Sequence, residues 1–301
     1  MAKVFIGMPV YNGKRFIKKA IDSMIVQTFQ DWKLLISDDA STDDTSEICR
    51  SYAKVDPRIE YYRQSNNIGL FNNFKYVLDR ADSEYFIWCA QDDIREKEYL
   101  KTCIEHLEND KKLGFATTKM AAIDSFDRIL TVEHELTKLS GKPSIVNVAK
   151  YVLQPEISGK CNLMYGLFRT EAARAVWNAF PQRNVWGQDY MFSLALVSRF
   201  GIFVDDKVLF KKRMGGFSSP GALDKDTNLT TNKIEYRNPK NHIFPFLRFK
   251  AYLMGHMEAL RGTRYRPLAA ILLTIRLPRA FLIYIRERNI KKYFKGTLTK
   301  S

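Results

Sequence analysis

Trp32-Lys33-Leu34-Leu35-Ile36-Ser37-Asp38-Asp39-Ala40-Ser41-Thr42-Asp43-Asp44-Thr45 passes abruptly from an apolar run to a dense acidic loop. Trp32–Ser37 has the length and branched apolar character of a buried strand. Asp38–Asp44 carries the short polar side chains that cap helices, and Thr45–Lys54 suits the helix that follows. The same unit recurs on both sides. Upstream, Lys3–Val10 reads as a strand, Tyr11-Asn12-Gly13 as a turn, and Lys14–Gln27 places Phe16, Ile17, Ala20, Ile21, Met24 and Ile25 at helical spacing. Downstream come a short strand at Ile59–Arg63, a helix at Leu70–Ala81, a strand at Tyr85–Cys89, a helix at Glu96–Asn109 and a strand at Leu113–Ala121. This alternation predicts an α/β fold, a mostly parallel sheet flanked by helices.

Such sheets bind ligands at the carboxyl ends of their strands. The residues there are Pro9–Asn12, Asp38-Asp39, Asn66–Gly69 and Gln91–Asp93. Adjacent carboxylates repel unless a cation sits between them, and a hard divalent ion carrying phosphate oxygens fits that need. Asp92-Asp93 therefore reads either as a metal site or as a turn with Asp93 capping the next helix. Asp38-Asp39 reads either as a nucleotide-binding pair or as part of the Ser41-Thr42-Asp43 capping cluster.

Other nucleotide chemistries fit poorly. Gly7 and Gly13-Lys14 have the wrong spacing for a P-loop, and Arg15 stands where Ser or Thr is required. No G-x-G-x-x-G follows the first strand, which argues against a dinucleotide oxidoreductase. His106, His134, His242 and His256 lack metal-ligand spacing. Cys49, Cys89, Cys103 and Cys161 form no C-x-x-C pair and read as free thiols in a reducing compartment. The apolar stretch Val4–Val10 is too short for the core of a signal peptide.

Later segments are less regular. Ser125–Gly159 reads as an insertion, Leu163–Arg169 as a strand, Gly187–Phe200 as a helix and Ile202–Met214 as one or two strands. Gly215–Pro239 is rich in Gly, Ser, Asn, Asp and Pro and reads as a long loop. The net charge is +15, and 13 of the Lys/Arg lie in the last 61 residues against only Glu258 and Glu287. Residues 1–240 therefore form a nearly neutral main domain, and 241–301 a basic, amphipathic helical extension. Pro267–Ile285 is interrupted by Arg276, Pro278 and Arg279, so it does not suit a spanning helix. Mixed apolar and basic faces suit an anionic membrane surface. No recognition motif accompanies the charge, so nucleic acid is not expected as a partner.

Met8-Pro9-Val10-Tyr11-Asn12, Ser37–Thr45, Asn67-Ile68-Gly69 and Ala90-Gln91-Asp92-Asp93 together resemble the family 2 glycosyltransferases in order and spacing, over about Lys3 to Phe217. The resemblance implies a GT-A (Rossmann-like) fold and a nucleotide-sugar donor, UDP by default and dTDP as the alternative. It implies that Pro9, Tyr11, Asn12, Asp38, Asp39, Asn67 and Gly69 line the nucleotide pocket. Asp92 would face the ribose or diphosphate. Asp93, with Asp92, would hold Mg²⁺ or Mn²⁺. Trp186-Gly187-Gln188-Asp189-Tyr190 resembles the family's G-E-D motif with Gln188 in place of Glu, which makes Asp189 the expected general base. Ala90 replaces a frequent Asp. The His that commonly completes the metal site near Phe210–Gly216 is absent, and Lys212 or Arg213 stands nearby to meet diphosphate charge.

The reading is then an inverting hexosyl- or deoxyhexosyltransferase of cell-envelope or polysaccharide synthesis. It would act on a glycan or lipid-linked acceptor, as a cytoplasmic protein peripheral on the inner membrane face. The alternatives are a non-catalytic nucleotide-sugar or glycan-binding module, and a sugar-nucleotide nucleotidyltransferase. The latter needs a Gly-rich basic first loop, which Pro9–Asn12 does not supply.

Overall fold

The computed structural model describes residues 2–154, 159–181, 187–214, 249–278 and 281. Strands β1 (Val4–Val10), β2 (Trp32–Asp38), β3 (Ile59–Arg63) and β4 (Tyr85–Trp88) alternate with helices α1 (Ile17–Ile25), α2 (Thr45–Val55) and α3 (Leu70–Asp79). The chain continues through β5 (Ile94–Arg95), α4 (Tyr99–Asn109), β6 (Leu113–Ile123), β7 (Ile129–Glu133) and α5 (Ile145–Leu153). Then come β8 (Leu167–Arg169), α6 (Thr170–Asn178), α7 (Gln188–Arg199), β9 (Gly201–Arg213) and α8 (Phe249–Ala259). Residues 266–278 are also helical.

The nine strands form one sheet in the order β3-β2-β1-β4-β8-β6-β9-β5, with β7 hairpinned onto β6. Sequence order reverses between β1 and β4, which creates the crevice where such sheets bind ligands. Parallel pairing holds for β3-β2-β1-β4 and for β6-β9. It does not extend to the whole sheet, because β8 runs antiparallel to both β4 and β6. That reversal has a consequence for the site: Ile87 pairs with Leu167, so the residues before β8 lie at the carboxyl end of β4.

Strand alternation divides the core between the two faces of the sheet. Val4, Ile6, Met8 and Val10 of β1, with Tyr85 and Ile87 of β4, pack toward α1 and α4. Phe5, Phe86 and Trp88 point the other way, against α3, α6 and α7. Trp88 sits at the centre of that second face, with Phe86, Phe168, Trp177 and Phe192 rings around it at 4.6–5.7 Å.

Several element boundaries differ from the sequence reading, and for two of them the cause is visible. The helix expected at Glu96 begins at Tyr99, because Ile94 and Arg95 pair with Lys211 and Phe210 of β9 as a short strand. The strand expected from Leu163 begins at Leu167, after a 3₁₀ turn over Lys160–Tyr165. Buried Arg95 donates to the Tyr165 carbonyl at 2.9 Å and so takes that group out of sheet pairing. The expected Gly215–Pro239 loop lies outside the described residues.

The first part of the basic extension shares the main core. Tyr252, Met257, Leu260, Tyr265, Ala269 and Leu273 are buried with α7 residues. Arg199 of α7 donates to the carbonyls of Ala259 at 2.7 Å and Arg261 at 2.9 Å. Among the described residues no helix is long and apolar enough to cross a membrane.

Candidate active site

The acidic loop after β2 does more than cap α2. Ser41 Oγ accepts from Asn12 N at 2.9 Å, Thr45 Oγ1 from Gly13 N at 2.7 Å and Asp43 Oδ2 from Lys14 N at 3.2 Å. Asn12 Oδ1 accepts in return from Thr42 N at 2.8 Å. Backbone N–H groups freed by the turn after β1 are thereby satisfied by side chains from the next strand end. Gln91, after β4, closes the crevice from the other side: its Oε1 accepts from Tyr11 N at 2.9 Å and its Nε2 donates to Tyr11 O at 3.1 Å. A Cβ on Gly13 would lie 2.6 Å from Gln91 Oε1, so glycine is what lets this clamp form. Pro9 is buried, while Tyr11 and Asn12 stay partly open at the crevice mouth.

Asp38 and Asp39 are both buried and serve different partners. Asp38 accepts from Ser41 N at 2.8 Å, Ser46 Oγ at 2.6 Å and Tyr61 Oη at 2.7 Å. Burial raises its pKa, but these hydrogen bonds outweigh that and hold it below the ordinary value. Asp39 accepts from Ile68 N at 2.7 Å and Gly69 N at 3.0 Å. For Asp39 burial dominates, and Asp38 beside it adds to the upward shift. Asn67 Oδ1 also accepts from Gly69 N, at 3.1 Å. The Asn67–Gly69 loop is thus pinned onto Asp39.

Gly69 has φ +87° and ψ 155°. That region is essentially restricted to glycine and costs other residues about 1–3 kcal/mol. Gly69→Ala is therefore expected to lower unfolding stability by about 1–3 kcal/mol and to loosen the hold of Asp39 on this loop. Denaturant unfolding checks the loss.

The carboxyl ends of β4, β6 and β9 and the turn before β8 meet at one edge. Asp93 Oδ1 accepts from Arg213 N at 2.9 Å, and its Oδ2 lies 3.3 Å from Lys212 Nζ. The Asp93 side chain has no exposed surface, whereas Lys212 keeps 16%. Lys212 Nζ also sits 4.6 Å from the centre of the Tyr165 ring. Burial works against the charged Lys212, but Asp93, followed by Tyr165 and Asp92, overrules it and pushes the ammonium well above its usual range.

Arg213 is enclosed. Nε donates to Asp92 O at 2.9 Å, Nη1 to Asp124 O at 2.6 Å and Nη2 to Asp127 Oδ1 at 2.5 Å, with the Phe16 ring beneath at 4.3 Å. Expected at the nucleotide sugar, its guanidinium instead ties the Asp92-Asp93 loop to the β6–β7 turn. Two donors side by side on one strand explain the split. Strand alternation sends Lys212 toward Asp93, and Arg213 is committed to the turn.

Asp189 opens α7 and accepts from Tyr190 N at 3.0 Å. Burial raises its pKa, partly offset by that N–H, the Cys161 thiol and the Lys212 charge. The same neighbours place it beside the Lys212 cluster, and Tyr165 feels Lys212, Asp93, Asp189 and Asp92 together. The structure therefore brings Asp92, Asp93, Asp189 and Lys212 to one edge, next to the Tyr11–Gln91 clamp. Sequence reading missed Cys161 and Tyr165, which come from the turn before β8 and carry no motif signal.

Asp93 as placed offers no open face to a metal. Its side chain has no exposed surface, each of its oxygens already faces a donor, and among the described residues no three His, Cys, Asp or Glu converge as a ligand set. A cleft of about 540 Å³ also opens beside α3, lined by Phe71, Lys75, Trp177, Phe180 and Arg261 among others; none of the aspartates just described lines it.

The Glycosyl transferase family 2 model matches residues 5–168, more than half the chain. The chain belongs to glycosyl transferase family 2. An uncharacterized glycosyltransferase of Rickettsia felis is 27% identical over 71% of this chain, and the chain spans only 33% of that protein's length. A GalNAc(5)-diNAcBac-PP-undecaprenol beta-1,3-glucosyltransferase of Campylobacter jejuni is 32% identical over 38% of this chain and 37% of its own. Residues 1–349 of S. aureus TarS, solved with UDP, superpose with a TM-score of 0.65 at 18% identity, covering 93% of this glycosyltransferase and 72% of that chain. The same fragment has also been solved with UDP-GlcNAc. The fold is GT-A, as in these solved structures.

Proposed function

We infer that this glycosyltransferase moves a sugar from a nucleoside-diphosphate sugar to an acceptor hydroxyl with inversion at the anomeric carbon. The observation that carries the reading is the convergence of Asp189 with Asp92, Asp93 and Lys212 beside the Asp39-held Asn67–Gly69 loop. The nucleoside half of the donor would lie in the crevice between β1 and β4, against Tyr11 and Asp39. Its diphosphate would reach the edge formed by Asp92 and Lys212. UDP is the first donor base to test, as TarS has been solved with UDP, and dTDP the second.

In the step itself, the acceptor oxygen attacks the anomeric carbon. Its proton passes to Asp189, and the bond to the diphosphate oxygen breaks, with the electron pair leaving on the nucleoside diphosphate. A raised pKa brings a carboxylate base nearer the working pH, which favours proton transfer. A single displacement reverses the anomeric configuration. NMR of the product against the donor tests this, and retention of configuration would contradict it.

The acceptor is proposed to be a glycan or lipid-linked precursor at an anionic membrane face. Supporting this, Met254, Ile271, Ile275 and Phe281 are exposed, and exposed Arg261, Arg264 and Arg266 lie near them in sequence. Apolar side chains beside basic ones suit anionic interfaces. Removing the whole extension would strip Tyr252 and Leu260 from the core, so substitution is the cleaner test. Ile271→Ser with Ile275→Ser is expected to reduce co-flotation with anionic lipid vesicles while leaving the unfolding midpoint unchanged. Equal flotation of the double variant would contradict this placement.

A further inference from the structure

We propose that Lys212 provides, from the protein itself, the positive charge that receives the leaving diphosphate, in the position where a divalent ion on Asp93 would otherwise act. The inference rests on the donor reading above and goes beyond it. Three observations carry it. The Asp93 carboxylate is sealed, with one oxygen on the Arg213 N–H and the other facing Lys212 Nζ at 3.3 Å. A divalent ion on that carboxylate would sit against an ammonium, so the two cations compete for one place. Arg213, the neighbouring cation on the same strand, is committed to Asp92 O, Asp124 O and Asp127.

Lys212 is held without being closed off. An ammonium has three donors; Asp93 faces one side of it and the Tyr165 ring another, while part of the side chain remains open. Asp93 then acts as a positioning residue that fixes the lysine by charge. As the sugar–oxygen bond breaks, the electron pair moves onto the diphosphate oxygen. Lys212 donates to that oxygen, a preorganised charge aimed where charge develops. The acceptor proton meanwhile goes to Asp189, so atoms and charge balance with no further co-reactant.

The test is calorimetric titration of the full chain with UDP, repeated with dTDP, in EDTA and again in excess Mn²⁺. Wild-type affinity is expected to agree within about threefold between the two conditions. Lys212→Met is expected to lose about tenfold or more in EDTA, the scale of a lost charged hydrogen bond, and Lys212→Arg to recover part of it. An Asp93→Asn, Lys212→Met double variant removes both members of the buried pair, keeps the pocket testable if the single variant misfolds, and is expected to show the same loss. Wild-type binding that requires Mn²⁺, or a double variant that binds as well as wild type in EDTA, would overturn the inference alone. No binding of either nucleotide in any condition would remove the donor reading as well.

Discussion

Asp189→Asn is expected to reduce sugar transfer by about 10²–10⁴-fold, the range of a lost general base, with nucleotide affinity nearly unchanged. Asparagine keeps the shape and can still accept from Tyr190 N, so the α7 N-terminus should persist. What it cannot do is take the acceptor proton. Loss of kcat with binding preserved marks an interaction made in the transition state. The pH dependence follows from burial, which raises the Asp189 pKa against the opposing pull of Tyr190 N, Cys161 and Lys212. The base must be ionised, so wild-type activity should fall with acidification at a pH above the ordinary aspartate value of about 3.9. The stability sign is opposite to that of a paired carboxylate. A carboxyl whose folded pKa is raised costs stability once ionised, above that pKa, and the cost disappears below the unfolded value. At neutral pH Asp189→Asn should therefore unfold no more easily than wild type. A variant with near-normal turnover would remove Asp189 from the chemistry.

Arg213→Ala is expected to lower unfolding stability by about 3–5 kcal/mol, the scale of breaking a buried ion pair from one side. The substitution strands the Asp92 and Asp124 carbonyls and leaves Asp127 with Lys19. It also releases the β6–β7 turn from the loop bearing Asp92 and Asp93, so activity should fall with stability. Lys at this position keeps the charge but lacks the planar fork that meets three acceptors at once, and Arg213→Lys should rescue little. Urea unfolding of both variants checks this. A shift below about 1 kcal/mol, the range of ordinary surface changes, would show that the guanidinium is not structural.

The parallel half of the fold was legible because β1 to β4 and their helices follow local periodicity, each burying one stripe. Asp38 and Asp39 were legible as a pair, but their separate partners, Tyr61 with Ser46 and the Ile68-Gly69 backbone, depend on which strand ends become neighbours. The strand that contains β8 was read from Leu163, but its antiparallel direction was hidden for a related reason. Leu167–Arg169 is three residues long and is defined by its partners β4 and β6 rather than by its own pattern. With it were hidden Cys161 and Tyr165, which reach the site only because β8 runs backward. Lys212 and Arg213 look interchangeable in sequence. Alternation along β9 and the short β5 pairing separate them, one toward Asp93 and the other into the β6–β7 turn.

The most direct measurement is release of nucleoside diphosphate from a panel of UDP- and dTDP-sugars by the purified protein, with Asp189→Asn as the paired control. The expected result is turnover of at least one donor by wild type and its near-complete loss in the variant. Release from no donor, or equal release by both proteins, would contradict the assignment of this edge of the sheet as a sugar-transfer site.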